Sequence, residues 1–572
     1  MPGGLLNIVS YGAANIMLNG NPNKTFFTAV YKKYTNFGLQ RFRIDFEGQR
    51  NLSFDSNTIM KFKIPRYAEL LWDTYIVMNL PDIWSPLYPR PDLTDISGIP
   101  YEFQWIENLG FNMIQEISIL SGGATLSQYS GEWMQNAISR DEGEKLDLIN
   151  RMTGNVPELN NPENAFNRIN VYPTAIYDGS CVNIEPSIRG RQLYIPLMAW
   201  FCYASKLALP LVAMQYQEVY INIEFKSIRE LYTIRAVDLP ETALTITCPP
   251  IPAMPVTGLA PRRAPNAASV TDQLWRFIQP PPRPEAGAKP DYIASWRAYQ
   301  NKRNEWNTDI HLIGTYVFLS NDERRQFAAR PHSYLVKEQH QYDFLNSTGS
   351  QRVKIPSSNM VSSYMFRFRR SDVNLRNQWS NYSNWAYQDT LPQGLFLFDG
   401  THVVALTDPR GCWPGNPMGF NFTGCRTAEN IKDILINLGI LMGGDYRENV
   451  TPAGLYNYIE KYKRTSGRAK DGLYLYNFCI HSDRNIYQPS GAQNTNKFEY
   501  VWFEFNTIQP PRLNCLNGAQ NVEVLCDPSG AIIGVRKNTW ALNEYNFDLR
   551  IFEERYNVIK IMGGRAGLAF AR

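Results

Sequence analysis

The sequence predicts a large all-β protein whose strands form sandwiches or barrels, arranged as two halves of similar size. Three observations carry this. Short segments of strict apolar–polar alternation recur along the chain, with the period of a half-buried strand. The 572 residues include 33 Tyr, 29 Phe and 13 Trp, which favour strands, and 38 Gly and 37 Pro, which favour turns. Helical patterns do not alternate with the strands, which counts against a parallel α/β fold.

The elements follow in order. In residues 41–47, Phe42, Ile44 and Phe46 alternate with Arg41, Arg43, Asp45 and Glu47. Residues 58–64 repeat this with Met60, Phe62 and Ile64 against Lys61 and Lys63. A continuous apolar run at 74–80 ends at Pro81, and a strand at 114–120 is closed by Ser121-Gly122-Gly123. Residues 217–225 alternate cleanly, with Val219, Ile221, Ile223 and Phe225 on one face. Residues 130–152 carry one helical signal; Asp141, Glu142 and Glu144 suit the positive end of a helix dipole, so a helix is predicted to begin near 140. Residues 249–290 hold eleven prolines and read as a linker or extended insert, with a short helix predicted over 292–306. Strands resume at 311–319, 333–341, 351–355 and 362–369; in the last, Tyr364, Phe366 and Phe368 alternate with Met365, Arg367 and Arg369. An irregular region, 370–472, contains one predicted helix at 427–441, from the helical spacing of Ile431, Ile434, Leu435 and Leu438. Further strands are expected at 473–479, 498–505, 522–525, 545–552 and 556–561. No sequence repeat relates the halves.

Several function classes lose ground on composition and motif. The net charge of +4 is too balanced to predict nucleic-acid binding. The Arg-rich run 366–376 reads as a strand with an apolar inner and a polar outer face rather than a base-stacking patch. Residues 195–216 have the length of a membrane span, but Pro196, Pro210 and Lys206 argue for two buried strands joined by a turn. The eight cysteines form no CxxC pair and are expected to be reduced and mostly buried. None of the five histidines sits at a metal-ligand spacing; His332 and His340 are eight apart across a predicted strand. Phosphate-binding loops and a GxSxG elbow are absent, and Gly443-Gly444 and Gly563-Gly564 read as turn glycines. The adjacent pair Glu553-Glu554 points to opposite faces of a strand and cannot work together as a glycosidase pair. No catalytic, cofactor-binding or metal residue is nominated, and no enzymatic activity is expected.

A family resemblance extends this reading. GGLLNIVSYGAANIMLNGNPNKTFF (3–27) and VYKKYTNF (30–37) resemble the opening of the double jelly-roll major capsid proteins of nucleocytoplasmic large DNA viruses. IPRYAELL (64–71) with Leu80-Pro81, GEWM (131–134) and LALPLVAMQYQEVYINIEF (207–225) are similar to later blocks of the first half. YVFLSNDERRQFA (316–328), SYLVKEQ (333–339), QPSGAQN (488–494) and YNVIKIMGGRAGLAF (556–570) resemble blocks of the second half. The blocks keep the family's order from residue 3 to residue 570. Two departures stand out: a long Pro-rich stretch at 240–305, and a region at 356–472 that does not follow the usual pattern.

The resemblance implies an all-β chain of two consecutive eight-stranded antiparallel jelly rolls with long loops and a few short helices. It implies an arm at 1–26, a first jelly roll at 27–230, a Pro-rich linker with a short helix at 231–305 and a second jelly roll at 306–572. The implied function is structural: homotrimeric, pseudo-hexagonal capsomers tiling the icosahedral shell of a large double-stranded DNA virus. The implied partners are two further copies, neighbouring capsomers, minor capsid proteins and the penton, above an inner membrane that the chain does not span; no direct nucleic-acid contact and no cofactor are expected. The implied location is the outer shell of the virion, assembled in the host cytoplasm, with the loops at 121–190 and 370–472 facing outward and the arm at the base. The alternatives are a minor or specialised capsid paralogue of the same fold and, from another class, a β-sandwich carbohydrate-binding protein or enzyme.

Overall fold

The computed structural model describes residues 13, 16–17, 20–48, 51–88, 99–177, 183–235, 237, 245–246, 254–255, 262–282, 299–388, 392, 396–398, 403–405, 421–422, 428–486, 488–511, 522–526, 532–537 and 543–570. Two antiparallel sandwiches dominate. The first is built from β1 (Phe37–Ile44), β2 (Thr58–Lys63), β3 (Leu70–Asn79), β4 (Ile114–Ser121), β5 (Ala124–Ser130), β6 (Gln192–Pro196), β7 (Leu209–Pro210), β8 (Val219–Phe225) and β9 (His311–Leu319). The second is built from β10 (His332–Phe344), β11 (Ser350–Ile355), β12 (Met360–Arg370), β13 (Leu435–Met442), β14 (Asp445–Pro452), β15 (Leu473–Asn477), β16 (Val501–Thr507) and β17 (Phe547–Met562), to which β18 (Arg565–Leu568) adds a hairpin.

Strand order makes both sandwiches jelly rolls. In the first, one sheet runs β1-β9-β3, with β6 and β7 both on β3, and the other runs β2-β8-β4-β5. In the second, the sheets run β10-β17-β12-β15 and β11-β16-β13-β14. Counting β6 and β7 together as one, each half pairs its first, eighth, third and sixth strands in one sheet. The second, seventh, fourth and fifth form the other. This is the jelly-roll order, which leaves only short, protected edges. The alternation read from sequence sets the faces: β2 puts Met60 and Phe62 inside, while β8 buries Val219, Ile221, Ile223 and Phe225. The fourth and fifth strands join through a two-residue turn in each half. Gly122-Gly123 has φ of 55° and 87°, and Gly443-Gly444 has 64° and 105°, values that only glycine adopts without strain.

Several expectations are corrected. The strand at 311–319, assigned above to the second jelly roll, is the last strand of the first: Phe42 pairs with Gly314, and Leu312 pairs with Ile76. The Pro-rich stretch therefore interrupts the first jelly roll between its last two strands. Without β9, β1 would have no neighbour in its sheet. The helix expected from about 140 is instead α1 (Gly131–Asp141), followed by α2 (Leu146–Thr153). Ser130 starts α1 by accepting the Trp133 amide at 3.3 Å, so Asp141 closes the helix rather than opening it. The helix expected at 427–441 is a 3-10 turn, Ala428–Asn430, followed by strand β13; Ile434, Leu435 and Leu438 enter the second core, while Ile431 is exposed. Of the helix expected at 292–306, residues 299–306 are not helical and 292–298 lie outside the described residues. The two strands expected at 545–552 and 556–561 are one, β17. Residues 195–216 comprise β6, a helical turn at Trp200–Tyr203, 3-10 turns and β7. No helix among the described residues is long and apolar enough to cross a membrane.

Candidate functional site

No cluster of three or more His, Cys, Asp or Glu residues suited to a metal ion occurs among the described residues. The densest group of buried charges lies where α1 of the first jelly roll crosses the outer face of the sheet β10-β17-β12-β15 of the second. Alternation builds that face. In β12, Tyr364, Phe366 and Phe368 enter the second core, whereas Met365 joins the hydrophobic cluster of the first. In β17, Leu549 and Ile551 point inward, and Phe552 belongs to the first cluster. Leu473 and Leu475 of β15 join it too. Along β12, β15 and the first half of β17 both faces are therefore buried. α1, whose residues are buried at ten of eleven positions, is the element that covers the outer one.

Two ionic knots hold the seam. At the start of α1, Glu132 accepts from Arg367 Nε at 2.6 Å and Nη2 at 3.2 Å, from Arg550 Nη1 at 2.5 Å and from the Tyr382 hydroxyl at 3.3 Å. Burial works to raise this carboxyl's pKa, but Arg367, Arg550 and Arg369 outweigh it and hold the group well below the usual carboxylate range. At the end of α1, the fully enclosed Arg140 donates to Asp141 at 2.6 and 3.0 Å and to Glu554 at 3.0 Å. Arg484 donates to Asp141 at 2.7 Å and lies 5.0 Å from the Trp133 ring centroid. Asp141 and Glu554 are both held below their ordinary values: burial raises each, but Arg140 and Arg484 outweigh it for Asp141, and Arg140 and Lys337 for Glu554.

Beside the first knot, a cavity of about 580 Å³ separates the jelly rolls, lined among others by Glu132, Lys226, His340, Arg369, Trp379 and Arg550. Trp379 carries two cations, with Lys226 Nζ 4.7 Å and Arg369 Cζ 5.5 Å from its ring centroid. Burial, then the nearby Arg369, pull the Lys226 ammonium down to about 8. Burial, then Arg367, pull Arg369 down to about 10.

The residues weighed in the sequence fall into place around this seam. The Arg-rich run is structural: Arg367 binds Glu132, Arg369 donates to the Trp379 carbonyl, and Arg370 and Arg376 share Asp372. Its polar outer face meets the first jelly roll rather than solvent. Glu553 and Glu554 point apart as expected, Glu553 to Arg555 and Glu554 to Arg140. His332 stacks on Phe327 and His340 lines the cavity, so the two do not converge. Among the described residues, Cys202 and Cys479 are free thiols; burial pushes Cys202 up to about 12 and raises Cys479, which makes both poor nucleophiles. Sequence reading missed Glu132, Arg140, Asp141 and Arg484 as a group. No local pattern marks them: Arg140 and Asp141 sit in the charged run 140–145 and Arg484 in the polar run 481–485.

Comparison with known proteins agrees with this architecture. Residues 25–267 match the family model of the major capsid protein N-terminus. The chain is 24% identical to the major capsid protein of Phaeocystis pouchetii virus, with all of both chains covered. It is 22% identical to that of Paramecium bursaria Chlorella virus 1, again over all of both. It is 31% identical to probable capsid protein 4 of Acanthamoeba polyphaga mimivirus, over 41% of this chain and 40% of that one. Among solved structures, VP54 of PBCV-1 matches with a TM-score of 0.56 at 18% identity, covering 96% of this chain and 100% of that chain. The Faustovirus major capsid protein matches with a TM-score of 0.56 at 12% identity, covering 97% and 95%. These two likenesses show the shared fold.

Proposed function

We propose that this chain, which belongs to the double jelly-roll major capsid protein family of nucleocytoplasmic large DNA viruses, builds the outer shell of a virion as a homotrimer. The observation that carries the reading is the seam itself. Two jelly rolls of identical strand order are fixed side by side by buried ion pairs, so one chain is a rigid two-lobed block. Three such blocks in closed symmetry give six similar lobes, a pseudo-hexagonal tile suited to a flat facet. The work is mechanical, and no catalytic step is assigned. Neighbouring capsomers, minor capsid proteins and the penton would meet the tile's rim and base, above an inner membrane.

Light scattering on the purified protein tests the trimer. The chain mass of 65.7 kDa gives about 197 kDa for three copies. That single species supports the capsomer. A clean folded monomer at all concentrations overturns it and favours a specialised paralogue that assembles only on the shell.

A further inference from the structure

The two jelly rolls have the same topology, yet matching parts of their surfaces are treated differently. In the first, the fifth strand and the helix after it, β5 and α1, are closed over by the sheet β10-β17-β12-β15 of the second. In the second, the fifth strand β14 is likewise followed by helix, a π-turn at Leu455–Ile459 running into α3 (Glu460–Arg464). Among the described residues, no sheet closes over them. Six of the eight residues of β14 are exposed, and no residue of α3 is buried. This helical segment is nevertheless amphipathic. Its inner side is anchored by the Tyr456 hydroxyl on the Leu438 carbonyl (2.9 Å) and by Lys461 on the Lys470 carbonyl (2.7 Å). Its outer side carries Tyr458, Ile459 and Tyr462, exposed at 56%, 55% and 82%. Their spacing of three and four residues forms one apolar stripe, as a docking helix has.

The complementary half is also unmatched. The sheet equivalent to β10-β17-β12-β15 is β1-β9-β3-β6 of the first jelly roll; Phe327 of the helix Asn321–Ala329 packs with Leu70, Trp72, Val317 and Leu319 at one end of its outer face, and among the described residues no jelly roll covers the rest. There Tyr194 stands opposite the inward Leu193 and Ile195, and Leu39 stands on the edge strand, 39% and 51% exposed. Tyr75 and Ile313 pair across strands on the same face and are half-buried. Each chain thus presents the helix half of a seam at one end and the sheet half at the other.

We infer that the Tyr458–Ile459–Tyr462 stripe of one copy docks on the outer face of β1-β9-β3-β6 of a second copy, repeating between chains the seam that α1 makes within one. The inference rests on the homotrimer proposed above and names the surfaces that close it. The occupant is a second copy because the chain itself shows what covers this helix: the equivalent sheet of another jelly roll. A head-to-tail contact of this kind must close into a ring or grow without limit, and a sixth of a turn per lobe closes it at three chains.

The test uses the full chain and two surface variants. The first replaces the stripe (Tyr458→Ser, Ile459→Asp, Tyr462→Ser); the second replaces the sheet face (Leu39→Asp, Tyr194→Ser). Because these side chains are exposed, circular dichroism and thermal unfolding of the monomer are expected to report intact folding. Alone, each variant is expected to run at the monomer mass of 65.7 kDa. Mixed in equal amounts they retain one complete seam and are expected to form a heterodimer of about 131 kDa, with no trimer. A wild-type trimer with a stripe variant that remains trimeric overturns the inference and leaves the capsomer reading standing. Monomeric variants that do not pair on mixing also overturn it. A wild-type chain that never trimerises overturns both.

Discussion

The perturbation that most directly tests the seam is Glu132→Gln, which removes one buried charge and changes little else. Among the described residues, Glu132 is the carboxylate that binds Arg367, and it also holds Arg550 and lies 3.8 Å from Arg369. Arg550 keeps a second carboxylate in Asp343 at 2.5 Å, whereas Arg367, 2% exposed, would keep only neutral acceptors, the Asp548 carbonyl at 3.2 Å and the new amide oxygen. Breaking a buried pair by removing one partner costs about 3–5 kcal/mol, because the remaining charge stays desolvated. An unfolding entropy of about 2.1 cal/mol/K per residue gives roughly 1.2 kcal/mol/K for this chain, so Tm is expected to fall by about 3–4 °C if it unfolds as one unit. The fall would be about twice that if one jelly roll opens alone. Urea titration followed by tryptophan fluorescence reads the change, since Trp133 and Trp379 flank the two knots. The sign with pH is fixed too. Glu132's folded pKa is depressed, so its contribution is full above the unfolded value of about 4.3 and is lost as pH falls through the folded one. Wild type should therefore lose more stability than E132Q on acidification. A loss under about 0.5 kcal/mol at pH 7, the range of ordinary surface substitutions, would refute the assignment.

Three further outcomes are expected. Lys226 has a folded pKa near 8 against an unfolded value of about 10.4, so between these the unfolded chain binds more protons and stability should rise with pH. Lys226→Met should gain stability at pH 7 and abolish that rise, measured as urea midpoints at pH 7.5, 8.5 and 9.5; an unchanged slope sinks the argument. Gly131→Ala places a Cβ 2.1 Å from the Phe111 carbonyl oxygen and 2.3 Å from that of Ile114, so α1 must shift off the seam; a loss above about 3 kcal/mol, or insoluble protein, is expected, and near-normal stability counts against the close approach. Deleting residues 1–22 should leave both jelly rolls folded but weaken assembly beyond the capsomer; normal particles from the truncated chain would contradict a role for the arm.

The strands were legible because alternation is a local signal and a sandwich core enforces it. Val219 to Phe225 reads correctly from seven residues because every second one is buried. The same logic fails where both faces are covered. Leu435 to Met442 shows no alternation, and its apolar residues fall at helical spacing, so a central strand carries the local pattern of a helix. The place of β9 was illegible for another reason: its partners Phe37–Ile44 lie far up the chain, beyond a proline-rich insert that looks like a boundary. The shared strand order coincides with one short sequence match, Ile-Leu-x-Gly-Gly at 119–123 and again at 440–444, the two turns that join the fourth and fifth strands. The seam left no local trace, because its ion pairs join residues 235 and 414 positions apart.

The seam within the chain adds buried ion pairs to its apolar contacts, while the stripe left open is aromatic, and the difference follows from when each surface must be covered. The outer faces of β12 and β17 meet α1 once, during folding, and never separate afterwards. A matched set of charges there satisfies its cost only in one register, since a slip of one residue on a strand turns Arg367 or Glu554 to the other face. An apolar face would accept many registers, and the equivalent sheet of any other copy as well. The stripe of Tyr458, Ile459 and Tyr462 stays in water until a second chain arrives. Tyrosine suits that interval, because its ring adds contact area on docking while its hydroxyl remains hydrated before it. Buried charge on one helix and exposed tyrosine on its counterpart thus separate two contacts of the same geometry: one made once in folding, the other made between finished subunits.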